Sequence, residues 1–399
     1  MKLNLIQGLG IACLALALGL AIRRLAPVLE RLAIPAAVLG GLVFSLAGLL
    51  LRQQGILIEY DNGLRDLLFV AFFTTVGLNA RIILLKVGGP AIVLLLVLAS
   101  VAGVLQNLIG IAIATLMGVH PLLGIVAGSL TLMGGPATGL AFGDTFEKLG
   151  IAGASSLALA AATFGILCGG LLGGPLGTAL IERHRLFAQP SQPGVSKPPE
   201  GPLAASAIDA PQEGGGNPLN EVIVLAMAMG LGSWLSAWIQ SSGILLPGYI
   251  GAMIVAGIFR NLNDRMQWVA LSDRRVGDIG NISLALFIAM ALVGLRLWEL
   301  YNLALPLVTI LIVQVLFMMA LSYLVVFRLM GRDYEAAVIS GGFVGFMLGI
   351  TANAVACMEA IVIKFGPAPR AYLVVPIVGA FLMDFTNSLI ITVMANLFA

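Results

Sequence analysis

One hydropathy pattern occurs twice in this chain. Residues 66–181 and 278–397 each read as a short apolar helix, a long apolar helix, a glycine-rich stretch too short to cross a bilayer, and a closing helix. The landmarks come in the same order. Val76-Gly77-Leu78 pairs with Val293-Gly294-Leu295, Leu116-Met117-Gly118 with Leu329-Met330-Gly331, and Lys148-Leu149-Gly150 with Lys364-Phe365-Gly366, at offsets between 213 and 217 residues. Hydrophobic segments interrupted by glycine at corresponding places of two halves point to the binding region of a secondary transporter.

The chain is 60% hydrophobic and 10% charged. Soluble domains are about 25% charged, so this composition belongs to a polytopic membrane protein. A net charge of +2 implies no nucleic-acid partner. Cys13, Cys168 and Cys357 lie in apolar segments without CxxC spacing, which argues against a disulfide framework or a metal centre. His120 and His184 sit at segment ends and read as loop histidines. The apolar run from Leu3 to Ile22 is longer than a signal-peptide core, and its positive charge, Arg23-Arg24, follows it. It reads as a retained transmembrane helix.

A crossing helix needs about 20 apolar residues. Ten spans meet this: about 3–22, 32–51, 66–82, 89–118 and 152–181, then 219–240, 245–260, 279–296, 303–328 and 371–397. The pieces at about 121–143 and 336–362 are broken by glycines and polar residues and read as re-entrant hairpins. With the N-terminus outside, 16 of the 21 Lys and Arg residues fall on the inner face, as the positive-inside rule requires. Five spans per half is odd, so the second half is expected upside down relative to the first. The expected fold is an all-α polytopic membrane protein with ten transmembrane helices in two inverted five-helix repeats, each with a re-entrant hairpin. Residues 1–181 form the first repeat and 219–399 the second. Residues 182–218 hold seven of the 18 prolines and read as a disordered cytoplasmic linker. Both termini would then be periplasmic.

The first hairpin carries Gly128-Ser129-Leu130-Thr131-Leu132-Met133-Gly134-Gly135-Pro136-Ala137-Thr138-Gly139. The second carries Ser340-Gly341-Gly342-Phe343-Val344-Gly345 and Gly349-Ile350-Thr351-Ala352-Asn353. Glycine weakens a helix interior, and Pro136 removes a donor and breaks it. Irregular backbone at membrane depth is tolerated only inside protein or beside a water-filled cavity. Helix N-termini at such breaks can hold carboxylates, and unwound carbonyls can hold cations. Close packing through small residues is the competing explanation. In the last span Asp384 is the single acid, with Asn387 and Ser388 at i+3 and i+4 on the same face. A carboxylate, an amide oxygen and a hydroxyl there suit a small cation, with a proton relay as the alternative. The equivalent place in the first half, near Gly169-Gly170, has no acid. Gln106-Asn107 and Gln314, inside long spans, read as interhelical hydrogen-bonding groups, with direct ligation as the alternative. Thr163 and Gly165 lie mid-span beside the first hairpin and are placed to complete its pocket. Gly169-Gly170 and Gly173-Gly174-Pro175 read as packing surfaces and a helix end. The absence of a GxxxxGK[ST] loop argues against direct drive by ATP.

These stretches resemble the bacterial sodium:glutamate symporter family. The resemblance rests on Phe72-Phe73-Thr74-Thr75-Val76-Gly77-Leu78-Asn79-Ala80, on Gly128 to Gly135, on Ile282-Ser283-Leu284-Ala285-Leu286-Phe287 with Gly294-Leu295-Arg296-Leu297-Trp298-Glu299-Leu300, and on Phe365-Gly366-Pro367 with Leu373 to Phe381. It covers nearly the whole chain outside the linker. It implies sodium-coupled uptake of L-glutamate across the bacterial inner membrane by a homodimer. It also implies kinship with 2-hydroxycarboxylate transporters, which move a substrate domain against a fixed scaffold. The family's glycine-rich loops map onto Ser129–Gly139 and Gly341–Asn353, and its acidic final helix onto Asp384 and Asn387. The chain departs from the pattern at Pro136-Ala137, where relatives commonly show His-Gly, and at Phe343-Val344, where a His-Cys-like pair can occur.

The expected function is therefore a sodium:L-glutamate symporter working by alternating access in an elevator-like way. The substrate would lie on Ser129, Thr131, Gly134, Gly135, Thr138, Gly345, Gly349, Thr351 and Asn353. Sodium would lie on Asp384, Asn387, Ser388 and Thr163, with no organic cofactor. A cation-coupled carrier for another dicarboxylate or hydroxycarboxylate is the first alternative, and a passive channel the second. An enzyme is not expected, because no paired catalytic set recurs within the spans.

Overall fold

Helices begin where the apolar runs begin. In a computed structural model, residues 2–26, 29, 34–53, 59–60, 63–83, 89–187, 218–242, 247–293 and 303–398 are described. Most of the expected linker, the Gly294–Leu300 run and the inner-face residues Arg31, Lys86 and Lys197 lie outside the described residues. Among the described residues the fold is helical, save that β1 (Lys2–Leu3) pairs in parallel with β2 (Glu59–Tyr60), with Lys2 opposite Glu59.

The helices are α1 (Leu5–Leu25), α2 (Ala36–Gln53), α3 (Gly63–Asn79), α4 (Gly89–Leu116), α5 (Pro121–Ile125), α6 (Gly135–Lys148), α7 (Ala154–His184), α8 (Pro218–Ser241), α9 (Tyr249–Met266) and α10 (Asp273–Val293). They continue with α11 (Ala304–Leu321, carried through a π turn to Leu329), α12 (Tyr334–Leu348), α13 (Thr351–Phe365), α14 (Pro369–Ile377) and α15 (Met383–Phe398). Helices occupy all ten places where spans are expected. Six, namely α1, α4, α7, α8, α10 and α11 with its continuation, are long and apolar enough to cross a membrane, and the bent pair α14–α15 would be a seventh. The protein is a multi-pass membrane protein.

Local signals explain the ends. Asn4 caps α1: its Oδ1 accepts from Gln7 N at 2.9 Å, while Asn4 N donates to Gln7 Oε1 at 3.0 Å. Arg23 and Arg24 occupy the last turn, where the helix dipole favours cations. Pro136 stands in the first turn of α6, where a missing N–H costs nothing. The expectation of a helix end at Pro175 is corrected, because α7 continues to His184 with Pro175 inside it. The reason is packing. Gly173 and Gly177, on either side of Pro175, lie against α12 and α13, and neighbouring helices hold a proline-containing span in place.

The chain divides into two compact units. The first comprises residues 1–80, 136–160 and 214–305. Its centre is α3, packed against α9 and α10. Ala71 and Leu78 of α3 share a core with Val224, Leu225 and Ala228 of α8, Ala256 of α9 and Val276 of α10. Phe73 and Tyr249 stack at 3.9 Å between ring centres, with Phe69 edge-on to both. Buried charges are paired. Glu221, 1% exposed, accepts from Arg275 at 2.8 Å and from Ser272 N at 3.0 Å, and Arg260 bridges Asp264 and Asp273. At the end of α6, burial raises the pKa of Asp144. Hydrogen-bonded ion pairs with Lys148 at 2.8 Å and Arg65 at 3.4 Å outweigh this and hold the carboxyl below its ordinary value.

The second unit comprises residues 81–135, 161–213 and 306–399. Here α7 presents a four-residue stripe to α12. A Cβ at Gly165, Gly169, Gly173 or Gly177 would meet the carbonyls of Leu348, Gly345, Gly341 and Ala337 respectively. From α13, Asn353 Nδ2 donates to Ile166 O at 2.7 Å and the Cys357 thiol approaches Gly169 O at 3.3 Å. Both arms of the α12–α13 pair thus grip α7, which is the small-residue packing expected of helices in lipid.

Candidate functional site

Two helix breaks meet within the second unit. The first begins where α5 runs into a π turn at Val126–Leu130, inside which Gly128 leaves helical geometry (φ −104°, ψ −139°). It ends at Gly135, whose φ of +65° suits glycine and which starts α6. The second lies between α12 and α13, at Gly349 (φ −138°, ψ −128°) and extended Ile350. A Cβ on Gly135 would sit 3.1 Å from Ile350 Cγ2, and one on Gly165 would meet both Leu132 and the Leu348 carbonyl. The first residue of α6 and the residue preceding α13 are therefore neighbours. Each of these helices begins with amides that no intrahelical acceptor satisfies, at its positive end.

Buried amides hold the first break. Ser129 N donates to Asn107 Oδ1 at 2.8 Å. Ser129 Oγ donates to Asn387 Oδ1 at 2.8 Å, and Asn387 Nδ2 donates to Ser129 O at 3.1 Å. Gly134 N also donates to Ser129 O, and Thr131 Oγ1 donates to Val126 O at 2.6 Å. At the second break Asn353 Oδ1 accepts from Ile350 N at 3.4 Å while its Nδ2 reaches Ile166. Gln106 Nε2 donates to Met347 O at 3.2 Å, and Gln314 Nε2 to Gln106 O at 2.6 Å. These glutamines and Asn107 are interhelical hydrogen-bonding groups, as expected of them.

Of the expected site residues, Ser129, Thr131, Gly134, Gly135, Thr163, Gly345, Gly349, Thr351, Asn353, Asp384, Asn387 and Ser388 all fall in the second unit, and Thr138 falls in the first. Ser129 and Asn387 are brought into direct contact. Thr351 opens α13 beside Gly379, where a Cβ would lie 3.1 Å from Thr351 Oγ1. Gly345 serves packing, since its carbonyl lies against Gly169 and a Cβ there would strike Ala354. Asn353 spends its amide on backbone. Ser388 Oγ donates to the Asp384 carbonyl at 2.9 Å. The Asp384 side chain is half-buried, and no donor reaches its carboxylate among the described residues. The α15 face thus offers a carboxylate, an amide oxygen and a hydroxyl, a hard-oxygen set fit for a monovalent cation. Sequence reasoning did not pick out Asn107 as the residue that fixes the first break. The only signal was an amide in the middle of an apolar helix.

A family model described as "Sodium/glutamate symporter" matches residues 1–367. The chain belongs to the sodium/glutamate symporter family. Curated relatives carrying the same name are 40% identical over 383 residues in Escherichia coli (strain K12) and in Shigella flexneri, covering 95% of this chain and 94% of each relative. One from Haemophilus influenzae is 34% identical over 393 residues, covering 97% and 96%. The family consists of transporters, which agrees with the resemblance drawn from the glycine-rich stretches and with the expectation of a non-enzymatic function. The family match over residues 1–367 spans both helix breaks.

Proposed function

We propose that the chain is a secondary-active sodium:L-glutamate symporter of a bacterial inner membrane, working by alternating access in an elevator-like way. Family membership and the relatives' names support the substrate and the ion. The observation that carries the site is the meeting of two helix breaks at Gly135 and Ile350, next to a face of α15 bearing Asp384. Glutamate carries two carboxylates, and two helix N-termini at one place suit them. Ser129, Thr131, Gly134, Gly135, Gly345, Gly349, Thr351 and Asn353 shape that pocket, in which Thr351 supplies a hydroxyl and Asn353 keeps its break in shape. Sodium sits among Asp384, Asn387, Ser388 and Thr163, where the Asp384 carboxylate, which has no donor among the described residues, balances its charge.

The proposed architecture is ten spans in two inverted repeats (residues 1–181 and 219–399) with re-entrant hairpins at about 121–143 and 336–362. The termini are periplasmic, the linker 182–218 is cytoplasmic, and the protein works as a homodimer in lipid. Inverted repeats around a midplane site are the geometry alternating access uses. Uptake of labelled L-glutamate into proteoliposomes, with an inward sodium gradient against a potassium control, tests the function. Accumulation only with sodium is expected. Competition by citrate, malate and aspartate separates glutamate from other dicarboxylates. Sodium-independent equilibration that never exceeds the outside concentration would mean a channel.

A further inference from the structure

Two adjacent amides on α4 reach both breaks of the second unit. Gln106 Nε2 donates to Met347 O, two residues before Gly349, and Asn107 Oδ1 accepts from Ser129 N, one residue after Gly128. Both side chains are fully buried. Gln314, also fully buried, donates to the Gln106 carbonyl and fixes this turn of α4 against α11. Successive residues of a helix point about 100° apart, so one rigid turn can serve two neighbours that do not share a face.

These amides are not ordinary core filler. Each spends one polar atom on backbone and leaves the other, Gln106 Oε1, Asn107 Nδ2 and Gln314 Oε1, buried with no partner among the described residues. An orphaned buried amide atom costs stability that an apolar side chain of the same size would not. Packing alone therefore does not account for the polar residues here. What they provide is a continuous tie. It runs from Asn387 on α15 to Ser129 through a double hydrogen bond, from Ser129 to Asn107, and from the neighbouring Gln106 to Met347.

We propose that Gln106 and Asn107 are positioning residues that hold the two breaks in one register, so that sodium on the Asn387 face pre-organises the break at Gly349 for the substrate carboxylate. This rests on the sodium symport proposed above. Close-packed interiors transmit a shift of one neighbour to the next, and the free energy of such coupling is reciprocal between the two ligands.

The test uses purified full-length protein and compares glutamate affinity in sodium with that in choline. Sodium should tighten glutamate binding by about tenfold in the unaltered protein, within the usual range for coupled sites. Gln106→Met keeps the volume and removes both the donor and the orphaned oxygen. It should bring that ratio to about twofold or less. Its thermal midpoint should stay with that of Ser45→Ala, a control that loses a buried bond to Leu292 O in the other unit. Amide exchange gives a second readout. Sodium should slow exchange at 126–135 and 346–353 in the unaltered protein, but only at 126–135 in Gln106→Met. Gln106→Ala takes the same two readouts if the methionine variant does not fold. An unchanged sodium ratio, with protection still reaching 346–353, overturns this proposal alone. An unaltered protein whose glutamate affinity ignores sodium overturns the symport proposal and takes this one with it.

Discussion

Ser129 and Asn387 hold each other through two hydrogen bonds across 258 residues of sequence: Ser129 Oγ donates to Asn387 Oδ1 at 2.8 Å, and Asn387 Nδ2 donates to Ser129 O at 3.1 Å. Both side chains are 1% exposed or less, so removing either leaves a buried polar partner unsatisfied. Ser129→Ala and Asn387→Ala should each cost about 1–3 kcal/mol. The double variant should cost less than their sum by about 0.5–3 kcal/mol, measured by denaturant unfolding in detergent. Strict additivity would mean that the pair does not act as a unit.

The helices were legible because their signal is local. Apolar runs of the right length mark α1, α4 and α8, and glycine clusters mark the places where α5–α6 and α12–α13 are interrupted. The last helix face, with Asp384, Asn387 and Ser388, follows from helical spacing alone. The partners of the buried amides were not legible. Nothing in the neighbourhood of Asn353 says that its side chain reaches Ile166 O, 187 residues away, nor does anything near Asn107 point to Ser129. A polar side chain in an apolar helix announces that it needs a partner, and only tertiary packing decides which one. Pro175 failed for the same reason, since local rules end a helix there while packing of Gly173 and Gly177 carries it on.

Asp384→Asn should abolish sodium-driven uptake while leaving the fold intact. No hydrogen bond to the carboxylate is lost, because none is made among the described residues, and an uncharged amide is cheaper to keep at bilayer depth. The thermal midpoint should therefore match or exceed that of the unaltered protein. Normal sodium dependence of uptake in this variant would remove Asp384 from the ion site.

Neighbouring glycines of α7 should respond oppositely to alanine. A Cβ at Gly173 would meet the Gly341 carbonyl and lie 2.7 Å from Cys357 Sγ, whereas one at Gly174 finds nothing nearer than 3.8 Å. Gly173→Ala should destabilise by about 1–3 kcal/mol through overpacking. Gly174→Ala should be neutral or stabilising, by up to about 1 kcal/mol, because alanine favours the helix. Unfolding midpoints of the pair decide the matter, and equal effects would mean that α7 does not lie against α12 as described.

Glu221 is 1% exposed and carries the pair to Arg275 in the first unit. Breaking a buried pair leaves an uncompensated charge, at about 3–5 kcal/mol. Arg275 is partly exposed and can turn toward water, so Glu221→Ala should cost toward the lower end of that range. Glu221→Gln keeps the acceptor for Ser272 N and should cost less. Equal losses in the two variants would assign the stability to the charge and not to the cap on Ser272.

The proposed inverted architecture makes a prediction about sidedness. Ala137 follows the first break and Ala352 the second, and in two oppositely oriented repeats the two should open to opposite faces. A membrane-impermeant maleimide should label Ala137→Cys from the periplasmic side of right-side-out vesicles and Ala352→Cys only from inside-out vesicles, with labelling of the unaltered cysteines as the baseline. In the conformation described here Ala137 is 5% exposed and Ala352 is half-buried, so Ala352→Cys should react faster at equal reagent. Saturating glutamate with sodium should slow labelling of Ala352→Cys, which adjoins Thr351 of the proposed pocket. Labelling of both from the same face would contradict the inversion. It would leave the two breaks as neighbours in the fold without the access that alternates between them.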